Sequence, residues 1–232
     1  MPTILHIESS TLTCSVAISN NGKTIALRES HDLSYAHSEK LVIYINEALK
    51  EANLKPTDLH AVCVAKGPGS YTGLRIGVSA AKGMCYVLEI PLLSVGSLRS
   101  MANWAMQNHK LELTNTELLC PMIDARRMEV YTALFSTSLK EEKPVSADII
   151  DEQSFASELE KGKVVFFGDG AAKCQEVIQH PNAVFLENFK PSARGMISIA
   201  EQKLAQNELE DVAYFEPYYL KDFVAGKPKK MF

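Results

Sequence analysis

The sequence predicts an α/β protein of two similar subdomains that face each other across a cleft. Two observations carry this expectation. The segment TILHIESSTLTCSVAISNNGKTIALRES alternates apolar and polar residues around Asn21-Gly22, and LLCPMIDARRMEVYTALF does so around Ala125-Arg126-Arg127. After each hairpin, helical periodicity alternates with short apolar runs, so a β-β-β-α-β-α order occurs twice.

Asn-Gly is a strong hairpin turn because both central residues need positive φ, which places strands over 3–9, 13–20 and 23–29. In HSEKLVIYINEALKEANL, Leu41, Ile45, Ala48 and Ala52 form one stripe with Val42 and Leu49 beside it, a helix that Ser34 or Ser38 would cap and Pro56 would end. HAVCVAK reads as a short buried parallel strand. GPGSYTGLRIG follows and leads into a helix over 72–88, with Pro91 beyond it. LLSVGSLRSMANWAMQN supplies a strand and a helix carrying Trp104, and the polar HKLELTNTE marks a subdomain boundary, giving subdomains 1–108 and 109–232. VVFFGDG is a buried strand entering a turn; a helix over 171–179, a strand over 183–186 and a helix capped near Ser192 follow it. The chain closes with AYFEPYYLKDF; the last twenty or so residues are expected to pack back on the first subdomain, with the basic GKPKK at 226–230 read as a solvated tail.

Of the 232 residues, 46% are hydrophobic and 22% charged, ordinary for a water-soluble globular chain. MPTILHIESS lacks the basic and long apolar regions of a secretory leader, so none is expected, and no apolar run approaches a membrane span. Cys14, Cys63, Cys85, Cys120 and Cys174 are odd in number, far apart and without CxxC, which fits a reducing cytoplasm. The formal net charge of −4 argues against a chain that grips nucleic acid alone, because phosphate neutralisation supplies most of that affinity. The six histidines include no pair at i, i+4, so no metal site is expected, and no nucleophile elbow or Cys/His couple appears.

GPGSYTGLRIG has glycines suited to a phosphate cradle, but the sixth residue from Gly67 is Thr72, and the lysine of GxxxxGK[ST] is missing. A GxGxxG frame fails as well, because the third glycine falls at Gly73. Gly73, Gly77 and Ala81 instead recur every four residues, with Ala80 and Gly83 nearby. Glycine inside a helix costs about 0.5–1 kcal/mol relative to alanine, so the stripe needs a packing reason. That reason is close approach either of the helix over 37–53 or of a second subunit. Tyr71 and Arg75 at the helix start are types enriched at interface hot spots. Two further clusters carry chemistry. Glu8, Ser9, Ser10, Thr11 and Thr13 form a hydroxyl-rich turn, either a phosphate loop or a polar hairpin; Asp124, Arg126, Arg127 and Glu129 form either an anion clamp or a self-satisfied turn.

HIESSTLTCSVAI, HSEKLVIYINEAL, GPGSYTGLRIGVSAAKGM, IPLLSVGSLRSMA and IDARRMEVY together resemble the TsaB (YeaZ) family, most closely over 1–135. The resemblance implies two RNase H-like subdomains of the ASKHA (actin-like ATPase) kind and a non-catalytic subunit. Its partners would be a TsaD-type catalytic paralogue and a TsaE-type ATPase, for threonylcarbamoylation of adenosine next to the tRNA anticodon. It implies a homodimer when alone, contact with tRNA only through partners, no membrane, and no cofactor of its own, with ATP or ADP at a partner interface. The implied partner interface comprises Ser38, Glu39, Gly67, Gly69, Tyr71, Thr72, Gly73, Arg75 and Gly77, and the implied vestigial nucleotide loop comprises Glu8, Ser9, Ser10 and Thr11. The family's first loop opens with Asp where this chain has Glu8, and the HxxxH of TsaD is missing. The rival expectations are an ATP-dependent small-molecule phosphotransferase of the same fold and a metallopeptidase-like hydrolase.

Overall fold

A computed structural model describes residues 2–31, 37–108 and 117–221. The first sheet holds β1 (Thr3–Glu8), β2 (Cys14–Asn20), β3 (Lys23–Ser30), β4 (Ala61–Ala65) and β5 (Leu92–Val95) in the order β3-β2-β1-β4-β5. β1, β2 and β3 pair antiparallel, β1 joined to β2 by the turn over residues 9–13 and β2 to β3 by the turn at Asn21 and Gly22, both at positive φ, while β4 and β5 join in parallel. The second sheet repeats this plan with β6 (Leu118–Asp124), β7 (Glu129–Ser136), β8 (Glu141–Ile149), β9 (Val164–Phe167) and β10 (Ala183–Phe185) in the order β10-β9-β6-β7-β8.

Helices α1 (His37–Glu51) and α2 (Tyr71–Leu88) cover one face of the first sheet, where Leu41, Ile45, Val78 and Cys85 meet Leu5, Val16 and Val62. α3 (Ser97–Asn108) follows the first sheet in sequence but packs on the second, with Leu98, Met101 and Trp104 against Leu119, Phe135 and Phe167. The short α4 (Ala156–Leu159) and α5 (Ala171–Cys174) cover the opposite face of that sheet. α6 (Ile197–Ala205) returns to the first sheet, where Met196, Ile199 and Ala200 meet Ile4, Ala17 and Leu93. The two halves therefore exchange helices, and the buried apolar contact holds them together.

Polar contacts reinforce the exchange. Ser15 donates to Glu29 at 2.7 Å and accepts from the Ala193 amide at 2.9 Å. Arg194 reaches Glu29 at 3.5 Å and lies 4.0 Å from the Trp104 ring centroid. Ser192 caps the 3₁₀ turn at Ala193–Met196 by accepting from the Arg194 amide, as the sequence predicts.

Several local expectations need correction. Ser38 lies inside α1 and does not cap it, Ser34 falls outside the described residues, and Val42 is 59% exposed although Leu49 is buried. β8 has no counterpart among the strands read from sequence: its edge position leaves most of its residues half-buried or exposed, so no clean alternation develops. The helix expected over 171–179 is only Ala171–Cys174, continued by turns that bury Ile178. The boundary segment 109–116 and the GKPKK tail lie outside the described residues.

The chain after α6 lies against the first sheet and α2. The Glu210 amide donates to the Leu92 carbonyl at 2.9 Å, and the Tyr218 amide to the Lys66 carbonyl at 2.7 Å. Lys82 donates to the carbonyls of Ala213 and Phe215 at 3.1 and 2.8 Å.

Candidate functional site: the β1 turn and the α2 face

The turn after β1 and the loop before α2 are built against each other. Ser70 caps α2, its hydroxyl accepting from the Gly73 amide at 3.2 Å, while its own amide donates to the Ser10 carbonyl at 2.6 Å. Ser9 donates to the Gly73 carbonyl at 2.9 Å. A methyl group placed on Gly77 would overlap Ser9 Oγ and stand 3.5 Å from Ile7 Cγ2, and one on Gly69 would run into the Ser10 backbone. At Gly67, φ is +108° and an added methyl would meet the Tyr218 carbonyl, so this position needs both the freedom and the smallness of glycine.

These contacts change the reading of the small-residue stripe. Gly73 and Gly77 are buried against Ser9 and Ile7 of the same chain, so they serve neither contact with α1 nor close approach of a second subunit. Gly67 is likewise buried and Gly69 half-buried. Of the other expected interface residues, Ser38, Glu39, Thr72 and Arg75 are exposed, and Tyr71 is half-buried. Arg75 lies 4.2 Å from the Tyr71 ring centroid and donates to the Tyr219 hydroxyl at 3.2 Å, and Tyr219 packs on Tyr71 at 4.9 Å between centroids.

Glu8, Ser9, Ser10 and Thr11 are all buried, so the hydroxyl-rich turn points inward. Glu8 Oε1 accepts from the Ser10 amide at 2.7 Å and the Ser10 hydroxyl at 2.5 Å, while Oε2 is buried with no hydrogen-bond partner. Burial raises the Glu8 carboxyl to about 6, and the two Ser10 hydrogen bonds oppose the shift. Two residues earlier, buried His6 shares a 2.8 Å hydrogen bond with Ser19, and burial lowers its imidazole to about 3. All five cysteines are buried free thiols. Among the described residues, no three His, Cys, Asp or Glu side chains gather as a metal-ligand set.

At the second hairpin, Lys173 takes Asp124 and donates to the Glu129 carbonyl at 2.7 Å, while Lys221 pairs with the Glu129 carboxylate. The carboxylates are thus satisfied by lysines distant in sequence, and Arg126 and Arg127 are left exposed at positive φ. Asp169 accepts from the Asp124 amide at 3.0 Å, and burial holds its carboxyl above the usual range.

Sequence reasoning missed the apolar surface on the outer side of α1 and α2. Val42 and Ile43 are 59% and 53% exposed, and Tyr86 and Val87 are 79% and 77% exposed. Gly83 lies on the exposed side of α2, and a methyl group there would meet nothing within 4 Å. Helical spacing could have separated it: Gly83 lies six residues beyond Gly77, 600° at 100° per residue, on the other side of the helix.

Comparison with known proteins fits this architecture. Residues 31–229 match the family described as TsaD: tRNA N6-adenosine threonylcarbamoyltransferase. The chain is 29% identical to the tRNA threonylcarbamoyladenosine biosynthesis protein TsaB of Escherichia coli, over 97% of this chain and 96% of that one. It is 38% identical to TsaB of Bacillus subtilis over 57% of this chain and 55% of that one. The solved structure of YeaZ from Pseudomonas aeruginosa superimposes with a TM-score of 0.77 at 25% identity, covering 95% of this chain and all of that one. The chain belongs to the TsaD family, within its TsaB (YeaZ) group.

Proposed function

We propose that this chain acts in tRNA threonylcarbamoyladenosine biosynthesis as a non-catalytic subunit of a cytoplasmic complex. It pairs with a TsaD-type transferase and works with a TsaE-type ATPase, so contact with tRNA runs through those partners. The names of its full-length relatives support the pathway. The observation that carries the non-catalytic reading is the closure of the β1 turn on the α2 loop. Ser9 and Ser10 spend their polar groups on Gly73, Glu8 and Ser70, where a phosphate-binding loop would turn donors toward its ligand.

The partner face in this reading is the outer side of α1 and α2. Ser38, Glu39, Thr72 and Arg75 supply polar contacts, Val42, Ile43 and Tyr86 supply apolar ones, and Gly83 admits a close backbone. Alone, the chain uses the same face to form a homodimer, and any ATP or ADP enters where the partner meets it. A reconstituted tRNA-modification assay tests the function. Omission of the chain should abolish modification, add-back should restore it, and Gly83→Trp should fail to restore it while remaining folded. Modification of equal rate without the chain refutes the role. ATP turnover by the isolated chain would favour the phosphotransferase.

A further inference from the structure

We propose that the turn at Ser192–Met196 is a lock that fixes the angle between the two halves and holds the cleft between them at one width. That cleft, about 430 Å³, is lined by Val95 and Ile199 of the first half and by Phe135 and Val145 of the second. Two-lobed proteins that close on a ligand bend at the few residues where the chain passes between lobes. Here the chain leaves the first half at Gly96, between β5 and α3. It returns between Phe189, in the core of the second sheet, and Ala193, in the core of the first.

Both passages are fastened. At the first, the Ser97 amide donates to the Gly67 carbonyl at 2.9 Å and ties the start of α3 to the loop before α2. At the second, the turn is gripped from two sides. Toward the first sheet, the Ala193 amide donates to the Ser15 hydroxyl at 2.9 Å, and Ser15 donates to Glu29 at 2.7 Å. Ser192 donates to the same Glu29 carboxylate, and Arg194 reaches it at 3.5 Å. Toward α3, Asn103 Nδ2 donates to the Gly195 carbonyl at 2.7 Å and to the Ser198 hydroxyl at 3.0 Å. Since Leu98, Met101 and Trp104 embed α3 in the core of the second sheet, the turn joins β2 and β3 to a helix that moves with the other half.

The joint has no slack. A methyl group on Gly195 would stand 2.3 Å from the Ser100 carbonyl oxygen and 2.9 Å from Trp104 Cβ. Ser15, Ser192, Ala193 and Asn103 are all buried. A change of angle would strip these groups of their partners where water cannot replace them, which is costly. Apolar contact alone would let the halves slide; directional bonds from both sides to one turn do not. A partner that docks on such a body does not bear the entropy of ordering two lobes. The lock lies apart from the α1–α2 face and stands whether or not that face pairs.

Double electron–electron resonance between spin labels at Lys23→Cys in the first half and Glu152→Cys in the second tests the lock. Both positions are exposed and all five natural cysteines are buried, so the label goes to the introduced thiols. Labelled chain is diluted with unlabelled chain, so that only distances within one chain are read. The otherwise natural chain should give one narrow distance distribution. Glu29→Gln removes the charge that Ser15, Ser192 and Arg194 share, and Asn103→Leu removes the amide that holds Gly195. Each should broaden the distribution without changing the circular dichroism spectrum. Amide hydrogen exchange supplies a second readout: Ala193 should be as protected as β1 in the natural chain and lose that protection in Glu29→Gln. A broad or two-peaked distribution in the otherwise natural chain would overturn the proposal. So would a distribution that stays narrow in both variants, or fast exchange of the Ala193 amide in the natural chain.

Discussion

Ser9 and Gly73, sixty-four residues apart, are joined by a 2.9 Å hydrogen bond from the serine hydroxyl to the glycine carbonyl, and one turn further along α2 Gly77 lies directly against the same serine. This contact locks the start of α2 onto the end of β1. It explains why the helix tolerates two glycines in its first half, since any Cβ at Gly77 would displace Ser9 or the strand beneath it.

Gly77→Leu should therefore act on the fold, not on pairing alone. Overpacking of a filled core costs about 1–3 kcal/mol, and loss of the Ser9 contact adds to it. Urea denaturation should show a lower midpoint. A variant as stable as the natural chain would mean that α2 stands farther from β1 than described.

Gly83→Ala should do the opposite. A methyl group at Gly83 meets nothing within 4 Å, so the substitution gains helix propensity of about 0.5–1 kcal/mol in the isolated chain. If Gly83 admits a close partner backbone, the same variant should weaken dimerisation in sedimentation velocity. Higher stability with unaltered association would remove Gly83 from the interface.

Stability should depend on pH through two buried neighbours of opposite sign. The Glu8 carboxyl is raised from 4.5 to about 6, so between these values the folded chain binds more protons and stability falls as pH rises. The His6 imidazole is lowered from 6.5 to about 3, so between these values the unfolded chain binds more protons and stability rises with pH. Over pH 4.5–6 the two slopes oppose each other, each limited to about 1.4 kcal/mol per pH unit. Glu8→Gln should unmask a rising profile in that interval and His6→Gln a falling one, read from denaturation midpoints at several pH values. Single variants that track the natural chain would show that neither group titrates as its burial implies.

The first hairpin, α1, β4 and α2 were legible because alternation, an Asn-Gly turn and a wide apolar stripe each have one structural solution. The halves of the α2 stripe were not, because spacing tells which residues share a face but not what covers it. Only the fold brings Ser9 to Gly77 across nearly seventy residues. β8 was hidden for a related reason: residues such as Glu142 and Pro144 are exposed at a sheet edge, so its sequence carries no burial signal. The carboxylates of the 124–129 hairpin found Lys173 and Lys221, partners that no local window contains.

Lys82 ties the returning chain to α2 by donating to the carbonyls of Ala213 and Phe215, while Tyr219 rests on Tyr71 and Arg75. Most of the surrounding surface is open to solvent, so the fastening contributes only about 0.5–1.5 kcal/mol per hydrogen bond and leaves the segment near the low end of local stability. Lys82→Met keeps the length of the side chain and removes its donors. Amide hydrogen exchange should accelerate at Phe215 and Tyr218, whose amides bond to Asp211 and Lys66, while β1 and β4 keep their protection. Uniform acceleration across both sheets would mean that the segment is part of the global folding unit, and unchanged exchange at Tyr218 would mean that the Lys66 carbonyl alone holds it.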